Sequence, residues 1–330
     1  MGWVGKSLLA LVAACLIAAG SFWTIDLRAH PAVASSDDLK LVRTKDGLLF
    51  ADSFGKALPV RDLGDDYEFN GSAPPGVGYQ QLKDSGLGIG VGQHAAQFEG
   101  WFAVTNSAFP SGSVFHVRMS KPKGNVSGSG QQGEAVFAVQ TGTTKQTGLI
   151  NYVVVSSNSL LGNTSWLVGY SHGRIQNATL NVLAQTEPSP QAANTQEISL
   201  RTDGAKDLTV YFGNDLHYQS SKLSMEIQGP YQPYLEVQSR QLPYLSTFQD
   251  FWITRDDAIE VSGVTPHRPV RLVTATGRVL SSAMPTGPSV KLPLRLPDCR
   301  GTADLLVTRN GRQIRLGPFS YSGGDSYQLS

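Results

Sequence analysis

The chain has 330 residues, a formal net charge of +1 and only 16% charged residues, well under the usual quarter. It carries no concentrated Lys/Arg run, which excludes nucleic acid as a main partner, because phosphate binding needs a dense positive face. A hydrophobic content of 40% with 35 glycines excludes a disordered acidic or basic chain and fits an exported all-β protein with many turns.

Lys6 is followed by an uncharged run, Ser7 to Ile25 (SLLALVAACLIAAGSFWTI), whose roughly 19 residues can just cross a bilayer as a helix. Three readings stand. The run is an uncleaved anchor with the Lys on its cytoplasmic side, a signal peptide cleaved after Ala32-Val33-Ala34, or a lipoprotein leader with Val12-Ala13-Ala14-Cys15 as its lipobox. All three place the body of the protein at the cell surface or outside the cell. Residues 1–30 are taken as this leader and 31–44 as a polar linker. Cys15 lies in the apolar run, so Cys299 is left as the single thiol of the body. No internal disulfide is expected, and Cys299 is read as a structural thiol.

From residue 45 to about 245, apolar residues recur with period two. Leu48–Phe54, Phe98–Thr105, Ser113–Lys121, Glu134–Thr141, Tyr152–Ser156 and Asp207–Phe212 all show it. Alternation of this kind marks strands. Clusters such as Lys123–Gly130 (KGNVSGSG) mark turns between them. No amphipathic helix of three turns occurs in the body, so the fold class is all-β, a sandwich or barrel. A second unit, 246–321, opens on Phe251-Trp252-Ile253 and continues in short strands punctuated by Gly277, Gly287, Gly301 and Gly311. Its length and spacing fit an immunoglobulin- or fibronectin-like sandwich. Residues 322–330 (SGGDSYQLS) read as an unstructured tail.

Gly169-Tyr170-Ser171-His172-Gly173 spells G-x-S-x-G, the nucleophile elbow of serine hydrolases. The elbow requires a helix after the serine and alternating strands and helices around it. Here Ala178, Leu180, Val182 and Ala184 fall on one strand face, so a hairpin, not a helix, is expected after Gly173. Sorting the other strands by face sets Phe115, Val117 and Met119, and Phe137 and Val139, toward the core. Opposite faces then carry Trp101, His116, Arg118, Trp166, Tyr170, His172 and Tyr211, together with Glu99 and Glu134. Aromatic rings flanked by hydrogen-bonding groups suit a saccharide, because rings stack on sugar faces and polar groups take the hydroxyls. Those seven residues are the candidate ligand contacts.

Residues 45–240 resemble the concanavalin A-like lectin/glucanase superfamily. The likeness is carried by Leu48–Phe54 followed by Leu82–Val91 (LKDSGLGIGV), by Asp207–Leu223 (DLTVYFGNDLHYQSSKL), and by a closing strand, Tyr234–Ser239 (YLEVQS). The resemblance implies a two-sheet jelly roll with its site on the concave sheet. One large glucanase branch uses E-x-D-x-x-E on one strand, a motif absent here. Branches that place two glutamates on different strands leave Glu99 and Glu134 as catalytic candidates. The resemblance also implies a structural calcium near the first strand, for which Asp52 is the matching carboxylate; no zinc pattern occurs. Three functions follow: a non-enzymatic glycan-binding surface protein, a glycoside hydrolase using two glutamates, or a structural or adhesive surface protein whose polar faces are covered.

Overall fold

The computed structural model describes residues 39–55, 63–74, 76–83, 86–93, 98–123, 131–141, 149–174, 179–202, 207–221 and 229–330. The leader, with Cys15, lies outside them. Among the described residues no helix is long and apolar enough to cross a membrane.

Two antiparallel sheets form the larger unit. The seven-stranded sheet runs, in spatial order, Thr179–Gln185, Asn163–Arg174, Leu149–Leu160, Gln132–Thr141, Tyr231–Arg240, Phe98–Thr105, Tyr67–Gly71. The eight-stranded sheet runs Asp215–Ser220, Leu208–Phe212, Thr195–Thr202, Val114–Ser120, Tyr244–Thr254, Gly86–Val91, Gly78–Lys83, with Leu48–Asp52 also paired to Tyr244–Thr254. The chain passes repeatedly from one sheet to the other, as in a jelly roll, which agrees with the all-β reading and the architecture implied by the resemblance. Alternation explains the pairing. In Tyr231–Arg240, Tyr231, Leu235 and Val237 are buried in the core between the sheets, while Gln232, Tyr234, Glu236 and Gln238 face out. The expected hairpin is present, since Asn163–Arg174 pairs with Thr179–Gln185. The G-x-S-x-G letters lie inside a strand, not at a strand-to-helix elbow.

The C-terminal unit packs two four-stranded sheets. One is Leu41–Lys45, Ser326–Leu329, Ala258–Ser262, Ser289–Pro293; the other is Val279–Ala283, Val270–Val273, Arg300–Arg309, Arg312–Ser322. Three expectations change here. The boundary at 246 falls inside the strand Tyr244–Thr254, which pairs with Gly86–Val91 and Val114–Ser120 in the sandwich. A bulge at Asp250, which has a positive φ of 47°, shifts the alternation within that strand. Phe248, Phe251 and Ile253 consequently serve the sandwich core and Trp252 the C-terminal core. The linker 31–44 ends in a strand, and the tail 322–330 supplies its partner: Leu41 faces Leu329 and Arg43 faces Tyr327. Leu39, Tyr327 and Leu329 are buried in the second core.

Asp325 ties this junction. It is 1% exposed. Its carboxylate accepts from the Gly47 amide at 2.6 Å, the Ser322 amide at 2.8 Å and the Tyr327 hydroxyl at 2.6 Å, and it pairs with Arg43 at 3.5 Å. Gly47 is required for this approach, because a Cβ there would lie 2.5 Å from the Asp325 amide nitrogen. Cys299 is buried with its thiol donating to the Arg295 carbonyl, and burial pushes its pKa up, as befits a structural thiol.

Removing the Asp325 carboxylate strands two buried donors, the Gly47 and Ser322 amides, while the Tyr327 hydroxyl keeps the Ser320 carbonyl. We expect Asp325→Ala to lower stability by about 3 kcal/mol and Asp325→Asn by less, read from the denaturant midpoint. Equal midpoints for the wild type and Asp325→Ala would contradict the role given to this residue.

Candidate functional site

The two outer faces of the sandwich have different fates. On the eight-stranded sheet, Val114 and Trp252 are buried in the C-terminal core, with Tyr211 packed against it. His116 stacks on Trp252 with ring centroids 4.5 Å apart and planes 9° apart, and its Nδ1 is 2.8 Å from the Ser199 hydroxyl. Burial lowers its pKa to about 4, with the Arg300 charge adding to the effect, so the ring is neutral at physiological pH. The Arg295 guanidinium lies over the Tyr211 ring. His116 and Tyr211 are therefore joints between units. Arg118, on the same sheet face, stays exposed, opposite Glu197.

On the seven-stranded sheet the inward face claims most of the other candidates. Trp166 is 1% exposed in the core, donating from Nε1 to the Ala193 carbonyl, and Tyr170 packs against that core. Trp101 pairs with Val237, an inward residue, and donates to Gln80 Oε1 at 2.9 Å. Phe102 and Val104 take the outward side instead. Alternation separated the two sets of residues correctly but assigned this strand's faces in reverse. The side chain of His172 lies outside the described residues. Glu99 and Glu134 cannot cooperate: Glu99 faces Ser239 on the inward side, while Glu134 faces Gln238 on the outward side. The Asp52 carboxylate is a structural acceptor, taking the Phe54 amide at 2.7 Å and the Tyr67 hydroxyl at 3.0 Å. Among the described residues no cluster of three or more metal-ligating side chains occurs.

The register assembles a different site on the outward face. One row across the strands reads Gly100, Gln238, Glu134, Asn158, Ser165. The next reads Phe102, Glu236, Val136, Ser156, Leu167, Gln185. A third carries Val104, Tyr234, Ala138 and Val154. Val136, Ala138, Val154 and Leu167 form a small buried apolar floor with Tyr234 against it. Phe102 and Tyr234 meet edge to face at 6.1 Å. Beside the floor, Gln132, Asn158, Asn163, Ser165 and Gln185 help to line a depression of about 420 Å³.

Glu134 and Glu236 are diagonal neighbours on adjacent antiparallel strands, a relation that sets Cβ atoms about 7 Å apart. Burial pushes the Glu236 carboxyl up to about 7; the Gln238 amide offsets part of that and the Glu134 charge adds to it. Burial also raises Glu134, the Ser156 hydroxyl partly opposing. Gly100 makes room for the pair, since a Cβ there would meet Glu236 Oε1 at 2.5 Å. With its carboxyl raised to about 7, Glu236 holds a proton below neutral pH and can then donate as well as accept a hydrogen bond. Glu236 escaped the sequence reading although its strand, YLEVQS, was identified. Its outward position between Leu235 and Val237 was the available signal.

No protein-family model and no curated protein sequence matches the chain. Among solved structures it is similar to LamAcat from Zobellia galactanivorans, at 12% identity over 63% of this chain and 97% of that one, with a TM-score of 0.42. It is similar to a protein of unknown function with a galectin-like fold from Bacillus subtilis, at 11% identity over 65% and 98%, TM-score 0.39. It is also similar to a mixed-linkage glucan protein from Bacteroides ovatus solved with a product bound, at 10% identity over 62% and 98%, TM-score 0.43.

Proposed function

We propose that the chain is an exported, non-enzymatic protein that binds an oligosaccharide across the outward face of its seven-stranded sheet. The observation that carries this reading is the row Gln238, Glu134, Asn158, Ser165 beside Tyr234 and Phe102. Amides, carboxyls and a hydroxyl in a line offer alternate donors and acceptors to sugar hydroxyls, and the adjacent rings offer stacking faces. Location outside the cytoplasm, with the leader as signal or membrane anchor, belongs to the same proposal and rests on the Ser7–Ile25 run. The C-terminal unit, read as immunoglobulin-like, serves in it as a support for the opposite sheet.

A second reading, hydrolysis, is favoured by one feature, the Glu134–Glu236 pair. Glycosidases hold two carboxyls roughly 5 to 10 Å apart, one protonated as the acid. Reducing-end release from a panel of polysaccharides separates the readings. Activity in the wild type that both Glu134→Gln and Glu236→Gln abolish makes the protein a hydrolase. Binding without release keeps it a lectin.

For binding, Tyr234→Ala and Gln238→Ala are each expected to weaken affinity about tenfold on a glycan array, roughly 1.4 kcal/mol. Trp101→Ala and Trp166→Ala are expected to lower the melting temperature and leave the affinity of the folded protein unchanged. A wild type that binds no glycan, or a loss confined to the tryptophan variants, refutes the assignment.

Glu236 also predicts a pH signature. Its folded pKa is raised from 4.5 to about 7, so the native state holds a proton that the unfolded chain releases. The stability it contributes is complete below about pH 4.5 and is lost as pH rises through 7. Melting curves from pH 4 to 8 should fall over that window in the wild type and flatten in Glu236→Gln. Parallel profiles would show that the carboxyl is ionised in the folded protein.

A further inference from the structure

A cavity of about 570 Å³ lies between the sandwich and the C-terminal unit, within the size range of small-molecule sites. The sandwich contributes Glu197, Asp250 and His116, the C-terminal unit contributes Arg300, and Asp46 stands where the chain crosses between them. His116 is 8% exposed, and with Nδ1 facing Ser199 its other ring nitrogen has no partner among the described residues. The side chains of Arg300, Glu197 and Asp250 likewise make no hydrogen bond or ion pair among the described residues. Cationic and anionic groups thus face one crevice without pairing to one another among the described residues.

The arrangement of charge narrows the ligand. An anion drawn to Arg300 meets the carboxylates of Asp46, Glu197 and Asp250. A cation drawn to those carboxylates meets Arg300, Arg43 being already paired with Asp325. A neutral polyhydroxylated molecule meets neither conflict, because each hydroxyl donates to a carboxylate or accepts from a guanidinium as its position requires. The neutral imidazole adds one further donor or acceptor without adding charge. We infer that this interdomain crevice is a second binding site, for an uncharged sugar unit, gripped between Arg300 on one unit and Glu197 and Asp250 on the other. It is independent of the outward-face site, from which it differs in sheet, in residues and in requiring both units.

The test places the full-length chain on an array of neutral, sulfated and amine-bearing oligosaccharides. Each neutral binder is then titrated calorimetrically into the wild type, into a crevice variant, Arg300→Ala with Glu197→Gln, and into an outward-face variant, Glu134→Gln with Tyr234→Ala. Both crevice positions are exposed, so melting curves should show that the crevice variant folds as the wild type does. The expected result is a neutral probe whose affinity the crevice variant weakens at least tenfold and the outward-face variant leaves intact. If no neutral probe behaves so, or if the crevice variant alters the binding of sulfated or amine-bearing probes only, the inference is overturned. Probes lost solely in the outward-face variant would sustain the first site and remove the second; the reverse pattern would do the opposite.

Discussion

The stack of His116 on Trp252 is the contact from which the rest of the arrangement follows. Trp252 stands on a strand of the sandwich yet lies in the core of the C-terminal unit. A bulge at Asp250 turns it outward while Phe251 and Ile253 stay inward. One strand therefore feeds two cores, and a domain is fastened to the outer face of the eight-stranded sheet. Ion pairing of Arg201 with Asp257 and hydrogen bonding of Arg295 to Asn214 extend the same seam. That unit covers the part of the eight-stranded sheet around Val114, Tyr211 and Trp252, and the outward face of the seven-stranded sheet is the other broad surface.

The remaining surface is unusual in composition. A solvent face of an antiparallel sheet is ordinarily polar throughout. Here a buried apolar floor, Val136, Ala138, Val154 and Leu167, lies directly beside two carboxyls on neighbouring strands. The floor withdraws water from Glu134 and Glu236, and loss of hydration raises both. Apolar packing and proton retention are therefore two results of one arrangement.

The all-β class, the two-sheet architecture, the hairpin after Gly173 and the inward sets of Val114–Ser120 and Gln132–Thr141 were legible, because period-two alternation is a local property of the chain. The failures have physical causes too. In Phe98–Thr105 both faces carry large apolar side chains, Trp101 on one and Phe102 on the other, so alternation could separate the sets without saying which looked inward. Phe251-Trp252-Ile253 read as the opening of a new domain because three successive apolar residues are what a strand shared by two cores contains. The tail's glycines masked the alternation of Tyr327 and Leu329. Glu236 and Glu134 lie far apart in the chain, and only long-range strand pairing makes them neighbours.

The pairing of Leu41–Lys45 with Ser326–Leu329 has a mechanical consequence. The backbone enters the described structure through the C-terminal unit and only then reaches the sandwich at Leu48. Tension applied upstream of Leu39 loads that zipper and the Asp325 junction first. The strands of the jelly roll are shielded from the pull until those bonds give way. A molecule hauled from its amino-terminal side would thus open its C-terminal module before its jelly roll.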